Sequence, residues 1–295
     1  AKLYAWEKLL RQSLASGHVD ANRLYVFGIS EGGYGSQRLA SYYADYWAGV
    51  GPMAGGEPLK NAPVENCANL AFSFLTGAMD EGFYRNKLTG YTKTAFDSLQ
   101  AKYAGRLMNH SADSLFRHRI ELIPNCGHSI DYSLTTPWLK TYKRNPYPHT
   151  FMWEDYPMDG QRRQGFYNLY VMKRPKAADG LKDASGEDRD YYEMDIQDNV
   201  IRLSVKKVTY QTLERDPVYG IDLKFTKSYH PVIGGKWKIY LNDQLVDMNR
   251  PVTVFINDRK AFEGKLVPRM EDMMTSCMEY FDPCRVFPAS VDVAL

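Results

Sequence analysis

Cysteine is scarce in this chain, with four in 295 residues: Cys67, Cys126, Cys277 and Cys284. That is too few for a disulfide-stapled scaffold, and the close cysteine pairs that hold zinc are absent, so no metal is expected. The spacing of Cys277 and Cys284 allows a bridge across a bent hairpin, and free thiols suit the sequence equally well. There is no uninterrupted apolar run of about eighteen residues, so no segment reads as a membrane-spanning helix. An excess of one charge is also lacking. The 37 Lys and Arg against 35 Asp and Glu leave a net charge of +2. Without a long basic run there is no footprint for nucleic acid. Apolar residues at 44% and charged residues at 24% are ordinary for a globular protein, which gives a disordered chain no support. The length permits two domains, each with its own core.

Lys2 to Leu14 reads as the interior of an amphipathic helix, with Leu3, Trp6, Leu10 and Leu14 near helical spacing. The chain therefore reads as starting partway through a domain. Gly17 stops that helix, and Arg23 to Ile29 follows as a strand. Tyr46 to Met53, Leu70 to Leu75 and Arg119 to Ile123 read as further strands, with helices over Tyr34 to Tyr43, Thr92 to Tyr103 and from Thr136-Pro137 onward. Alternating strands and helices over residues 1–143 indicate an α/β unit with a parallel sheet.

The texture changes at Lys143-Arg144-Asn145-Pro146-Tyr147-Pro148, and residues 144–165 read as a linker. Beyond it the hydrophobic period becomes two. Phe166 to Met172, Val200 to Val208, Ile221 to Phe225, Trp237 to Leu241 and Val252 to Ile256 read as strands, and Asp179 to Asp190 as a charged loop. Lys238 to Asp243 and Thr253 to Asp258 resemble each other as a reused strand and turn. Residues 166–295 are therefore expected to form an all-β sandwich of immunoglobulin-like or fibronectin-like type.

The stretch with most chemical content is Gly28-Ile29-Ser30-Glu31-Gly32-Gly33. A strand leads in and a helix leads out, the context in which Gly-x-Ser-x-Gly forms a nucleophile elbow. A serine at so sharp a turn is strained, and neighbouring chains come close enough that Gly28 and Gly32 read as required. A plain glycine-rich loop with Ser30 capping the helix is the structural alternative.

Serine is a weak nucleophile unless a histidine takes its proton and a carboxylate orients that imidazole. Ser30, Asp80 and His128 each follow an expected strand, 50 and then 48 residues apart (30 to 80, 80 to 128), and loops at the carboxyl edge of a parallel sheet converge. Glu81 competes with Asp80 as the acid, and Asp131 reads as a helix start. His18, His110, His118, His149 and His230 read as structural or surface residues. The backbone N–H of Glu31 is the expected first oxyanion donor.

On these residues the first 143 positions resemble the C-terminal half of an α/β-hydrolase domain. Gly28-Ile-Ser-Glu-Gly32, Thr76-Gly-Ala-Met-Asp80 and Asn125-Cys-Gly-His128 resemble the motifs of its esterase, dienelactone-hydrolase and prolyl-oligopeptidase-like branches. Pro251 to Asp258 and Phe262 to Leu266 are similar to a β-sandwich appended to some bacterial members. The resemblance implies about eight strands, of which the last four or so are in this chain, an upstream segment completing the sheet, and a second oxyanion donor from a loop near the third strand. It also implies acyl transfer with no cofactor.

The expected function is a serine hydrolase acting on a small-molecule or glycan-linked carboxylic ester. A prolyl-oligopeptidase-like peptidase is the alternative within enzymes, with Glu57, Glu65 and Arg85 as candidates to bind a terminal charge. Outside enzymes, a non-catalytic glycan-binding or protein-binding scaffold remains open, with Tyr229, Trp237 and Tyr240 as its aromatic candidates if they share an exposed face. No substrate-binding residue is identified by the motifs. A periplasmic or secreted location follows only from the appended sandwich and the resemblance.

Overall fold

A computed structural model describes residues 2–106, 114–178, 180 and 189–295. His110 and most of the charged loop read at Asp179 to Asp190 lie outside the described residues. The chain begins with α1 (Lys2–Ala15). It forms two compact units, one of Asn22–Asn145 with Tyr210–Thr226, the other of Ala1–Ala21, Pro146–Thr209 and Lys227–Leu295.

The first unit is α/β. Its strands are β1 (Tyr25–Ile29), β2 (Gly49–Met53), β3 (Ala71–Gly77) and β4 (His118–Ile123), all parallel and side by side in that order. Between them run α2 (Glu31–Tyr42) and α3 (Arg85–Lys102), and α4 (Thr135–Leu139) follows β4. The central strands β2 and β3 are buried along their whole length, as strands covered on both faces must be. Two contacts show the covering. Phe96 of α3 meets Phe72 of β3 at 4.6 Å between ring centroids. On the alternate side of the sheet, a β-carbon on Gly51 would sit 3.0 Å from Leu139 of α4, so glycine lets that short helix lie close. The helix expected at Thr92 begins earlier, at Arg85. Its first two turns read as polar because only Leu88 and Thr89 there are buried.

In the second unit, β5 (Thr150–Asp155), β6 (Gly165–Phe166), β7 (Leu169–Lys173), β8 (Lys176–Ala177) and β9 (Arg189–Gln197) come first. Next are β10 (Val200–Arg215), β11 (Asp222–His230), β12 (Val232–Ile233), β13 (Lys236–Leu241), β14 (Val252–Ile256) and β15 (Arg259–Gly264). α5 (Met270–Tyr280) and β16 (Ala289–Ala294) close the chain. One sheet runs β15-β14-β10-β9-β5, with β11 also paired to β10, and a four-stranded sheet runs β16-β13-β7-β6. Aromatic rings join the two: Trp153 of β5 stacks on Phe166 of β6 at 5.2 Å, and Tyr192 of β9 meets Trp237 of β13 at 6.3 Å.

Several expectations change here. Phe166 to Met172 is not one strand but the hairpin β6–β7, turning at Tyr167 with φ +50. The turn was hidden because Tyr167 buries its ring against Phe151, 5.2 Å away, so that Asn168 is the one polar residue in the run. The stretch read as a linker at 144–165 contains β5. Its polar character comes from buried ion pairs: Glu154 with Arg189 and Lys227, and Asp155 with Arg162 and Arg174. α1 clusters with the strand-rich unit, where Arg11 reaches the Met278 carbonyl and stacks over Phe281. The distal half of the β10–β11 hairpin, Tyr210–Thr226, belongs with the α/β unit. The four cysteines are free thiols. No described helix is long and apolar enough to cross a membrane.

Candidate active site

The run Gly28 to Gly33 forms a tight turn from β1 into α2. Ser30 stands at its tip with φ 56 and ψ −115, a region that side chains other than glycine rarely occupy and that persists only where surroundings enforce it. The enforcement is visible. The Ser30 amide donates to the Met53 carbonyl at 2.9 Å, and the Ser30 carbonyl accepts from the Gly33 and Tyr34 amides at 2.8 and 3.1 Å. A β-carbon on Gly28 would overlap the Gly32 carbonyl, which fits the reading of Gly28. Gly32 differs from its reading, since a β-carbon there would meet nothing within 4 Å. The close approach falls instead on Gly33, where it would lie 2.5 Å from the Met53 carbonyl oxygen.

Because the four strands are parallel, their carboxyl ends lie on one edge, and the loops leaving β1, β3 and β4 meet there. His128 Nε2 lies 3.1 Å from Ser30 Oγ, and His128 Nδ1 lies 2.8 Å from Asp80 Oδ2. The loops of the acid and the histidine are also joined directly. The Ala78 amide donates to the Ile123 carbonyl and the Met79 amide to the Cys126 carbonyl, both at 2.9 Å. The Tyr132 hydroxyl donates to the His128 carbonyl at 2.9 Å. With Asp80 ionised, the imidazole proton belongs on Nδ1, which leaves Nε2 to accept from Ser30.

Asp80 is 3% exposed and the His128 side chain 43%. Burial opposes ionisation of Asp80. Hydrogen bonds from Arg85 and His128, together with their charges, outweigh it and hold the carboxyl below the usual carboxylate range. A carboxyl depressed in the folded state contributes stability that is fully present above its unfolded value, about pH 4. That contribution is lost as pH falls through the folded value. The melting temperature is therefore expected to fall on acidification below about pH 4, and by less in Asp80→Asn than in wild type. Scanning calorimetry of both proteins across that range checks it, and equal falls would overturn it.

The other candidates are placed as follows. Glu81 is exposed, and among the described residues it is Asp80 that bonds His128. Asp131 caps the short turn that follows through the Ser133 amide. His18 is exposed, His118 bonds the Phe116 carbonyl and Asp97, His149 the Gln244 carbonyl and His230 Thr209. The Glu31 amide opens α2 and so has no acceptor one turn earlier in that helix, which leaves it free to donate beside Ser30. Glu57 is buried on Arg38 and Asn61, and Arg85 is engaged by Asp80. Neither offers a free charge to a peptide terminus. Trp237 and Tyr240 are buried while Tyr229 is 43% exposed, so these three rings do not share an exposed face.

The residue that sequence reasoning misjudged is Arg85. The available signal was an arginine five residues past the acid, at the start of a helix.

No family model matches the chain, and no curated protein matches it. Among solved structures, the chain is similar to the crystal structure of a thermostable esterase, with 18% sequence identity and a TM-score of 0.35 over 48% of this chain and 36% of that one. The chain thus spans about a third of that esterase's length.

Proposed function

We propose that this chain carries the nucleophile, base and acid of a serine hydrolase of α/β-hydrolase type, acting on carboxylic esters through an acyl-enzyme. The observation that supports this is the unbroken hydrogen-bonded line from Ser30 through His128 to Asp80 at the carboxyl edge of a parallel sheet. The strand-rich unit is read as the appended β-sandwich.

In this reading Ser30 Oγ attacks the ester carbonyl carbon while His128 Nε2 takes the hydroxyl proton. The electron pair of the carbonyl moves onto its oxygen, which the Glu31 amide stabilises. Collapse re-forms the carbonyl and breaks the bond to the leaving oxygen. That oxygen takes the proton from His128 and departs as an alcohol. Water then attacks the acyl-serine, His128 again accepting and returning one proton, and the acid leaves with Ser30 restored. Asp80 stays ionised throughout and holds the imidazole in the tautomer that accepts from serine.

An ester is favoured over a peptide because two of the charges proposed to anchor a peptide terminus, Glu57 and Arg85, are already bound within the protein. The test is covalent. An alkyl fluorophosphonate is expected to label the protein once, on the peptide containing Ser30, and labelling is expected to vanish in His128→Ala. Labelling elsewhere, or none, would refute the assignment.

A further inference from the structure

Arg85 bonds the Asp80 carboxylate beside His128, and the steps above give it no part. Its Nε donates to Asp80 Oδ2 at 2.8 Å and its Nη2 to Oδ1 at 2.7 Å. This two-point fork fixes both oxygens and so the plane of the carboxylate. His128 Nδ1 donates to the same Oδ2. One oxygen is therefore shared between a guanidinium and the imidazole.

The guanidinium is itself held in place. Its side chain is 11% exposed, it lies over the Phe83 ring at 5.5 Å, and a β-carbon on Gly82 would press on its Nη2 at 2.6 Å. Phe83 and Tyr84 both have left-handed backbones, with φ 52 and 59, a costly conformation for two successive aromatic residues. The distal half of the β10–β11 hairpin secures them. The Tyr84 hydroxyl donates to Asp216 Oδ1 at 2.9 Å, and the Phe83 ring packs on Tyr219 at 4.6 Å. This bend leads directly into α3, whose first residue is Arg85.

The charged and titratable groups around this pair come from every neighbouring loop. Glu31 and Tyr34 belong to α2, Glu57 to the loop after β2, Glu81 stands beside Asp80, and Cys126, Asp131 and Tyr132 flank His128. Glu31 and Glu81 are exposed, Glu57 is bound to Arg38, and Asp131 to Ser133. Tyr34 lies against Arg85 without hydrogen-bonding geometry. Among the described residues, the cation that bonds Asp80 beside His128 is Arg85.

We propose that Arg85 is a positioning residue, which fixes the Asp80 carboxylate and offsets its charge so that His128 stays neutral and able to accept a proton at lower pH than an unassisted Asp–His pair would allow. A bare carboxylate favours the imidazolium. A guanidinium on the same oxygen opposes it, because two positive charges so close repel. The kinetic part rests on the serine-hydrolase reading, while the protonation part does not.

The experiment compares wild type, Arg85→Gln and Arg85→Lys in the full chain by two readouts. One is the pH profile of kcat/KM on a short-chain activated ester, the other the NMR titration of the His128 ring. In Arg85→Gln the acidic limb and the NMR midpoint are expected to move up by about one pH unit, as loss of a neighbouring charge does. The plateau is expected to fall about tenfold as the carboxylate loosens. In Arg85→Lys the charge remains and the fork is lost, so the limb and midpoint stay near wild type while the plateau falls. Unmoved limb and midpoint in Arg85→Gln, or an equal upward shift in both variants, would overturn the proposal. If wild type hydrolyses no ester, the serine-hydrolase reading fails alone and the NMR midpoint still decides the role of Arg85. If Arg85→Gln does not fold, an upward shift in Arg85→Lys refutes the charge role and an unmoved midpoint supports it.

Discussion

Replacing Ser30 with alanine is expected to lower kcat/KM for a short-chain activated ester by about 10⁴-fold or more, with the melting temperature almost unchanged. The two halves of this outcome have separate causes. The nucleophile supplies the atom that bonds to the acyl group, and no neighbouring side chain on the same turn can replace it. The fold loses little, because Ser30 Oγ has its hydrogen bond to an imidazole that is 43% exposed, and water can take the vacated place. Alanine also keeps the strained backbone at φ 56. Glycine does not, so Ser30→Gly is expected to be as inactive and more stable by roughly 0.5–1 kcal/mol. Because the three residues act as a unit, Ser30→Ala with His128→Ala should cost scarcely more than either alone. Rates and calorimetry on wild type and these four variants check this. An alanine variant that keeps its rate would remove the nucleophile from the reading.

The largest loss of stability is expected from Gly77→Ala, about 3 kcal/mol or more, accompanied by loss of activity. Gly77 ends β3, where a β-carbon would overlap the carbonyl oxygens of Gly127 and Cys126. Those carbonyls belong to a backbone turn that cannot rotate away as a side chain would. Any shift that relieves the overlap must move Asp80, three residues along one chain, or His128, next to Gly127 on the other. Stability and chemistry are therefore coupled at this contact. Gly90→Ala is the matched control. It lies inside α3 with open space around it, and replacing a helical glycine should raise stability by about 0.5–1 kcal/mol. Urea unfolding of both variants separates a contact effect from a general effect of the extra methyl. Gly77→Ala with the midpoint of wild type would show that the two loops have room to part.

Much of the α/β unit was legible because its signals are local. Buried parallel strands such as Leu70 to Leu75 read as continuous apolar runs, and the glycines of Gly28 to Gly33 mark a sharp turn because Gly28 and Gly33 leave room where neighbouring backbone comes close. The order serine, acid, histidine at three strand ends was also readable along the chain. β9 was less so: its Tyr192, Met194 and Ile196 alternate with Glu193 and Asp195 as a strand should, but it opens on Arg189 and Asp190, buried charges that extend the charged loop before it. The hairpin turn at Tyr167 and the strand β5 escaped because their residues are buried where turns and linkers are normally exposed.

The amino-acid order by itself determined the parallel α/β unit, the turn that holds Ser30, and the three residue types placed at strand ends. Only the tertiary structure decided that Asp80 rather than Glu81 bonds His128, that Gly33 rather than Gly32 bears the close approach, and that Arg85 serves the acid. Periodicity and turn chemistry act over a few residues and are written in the sequence. Which of two adjacent carboxylates meets a ring 48 residues away depends on the path of the backbone between them and on the loops packed against it.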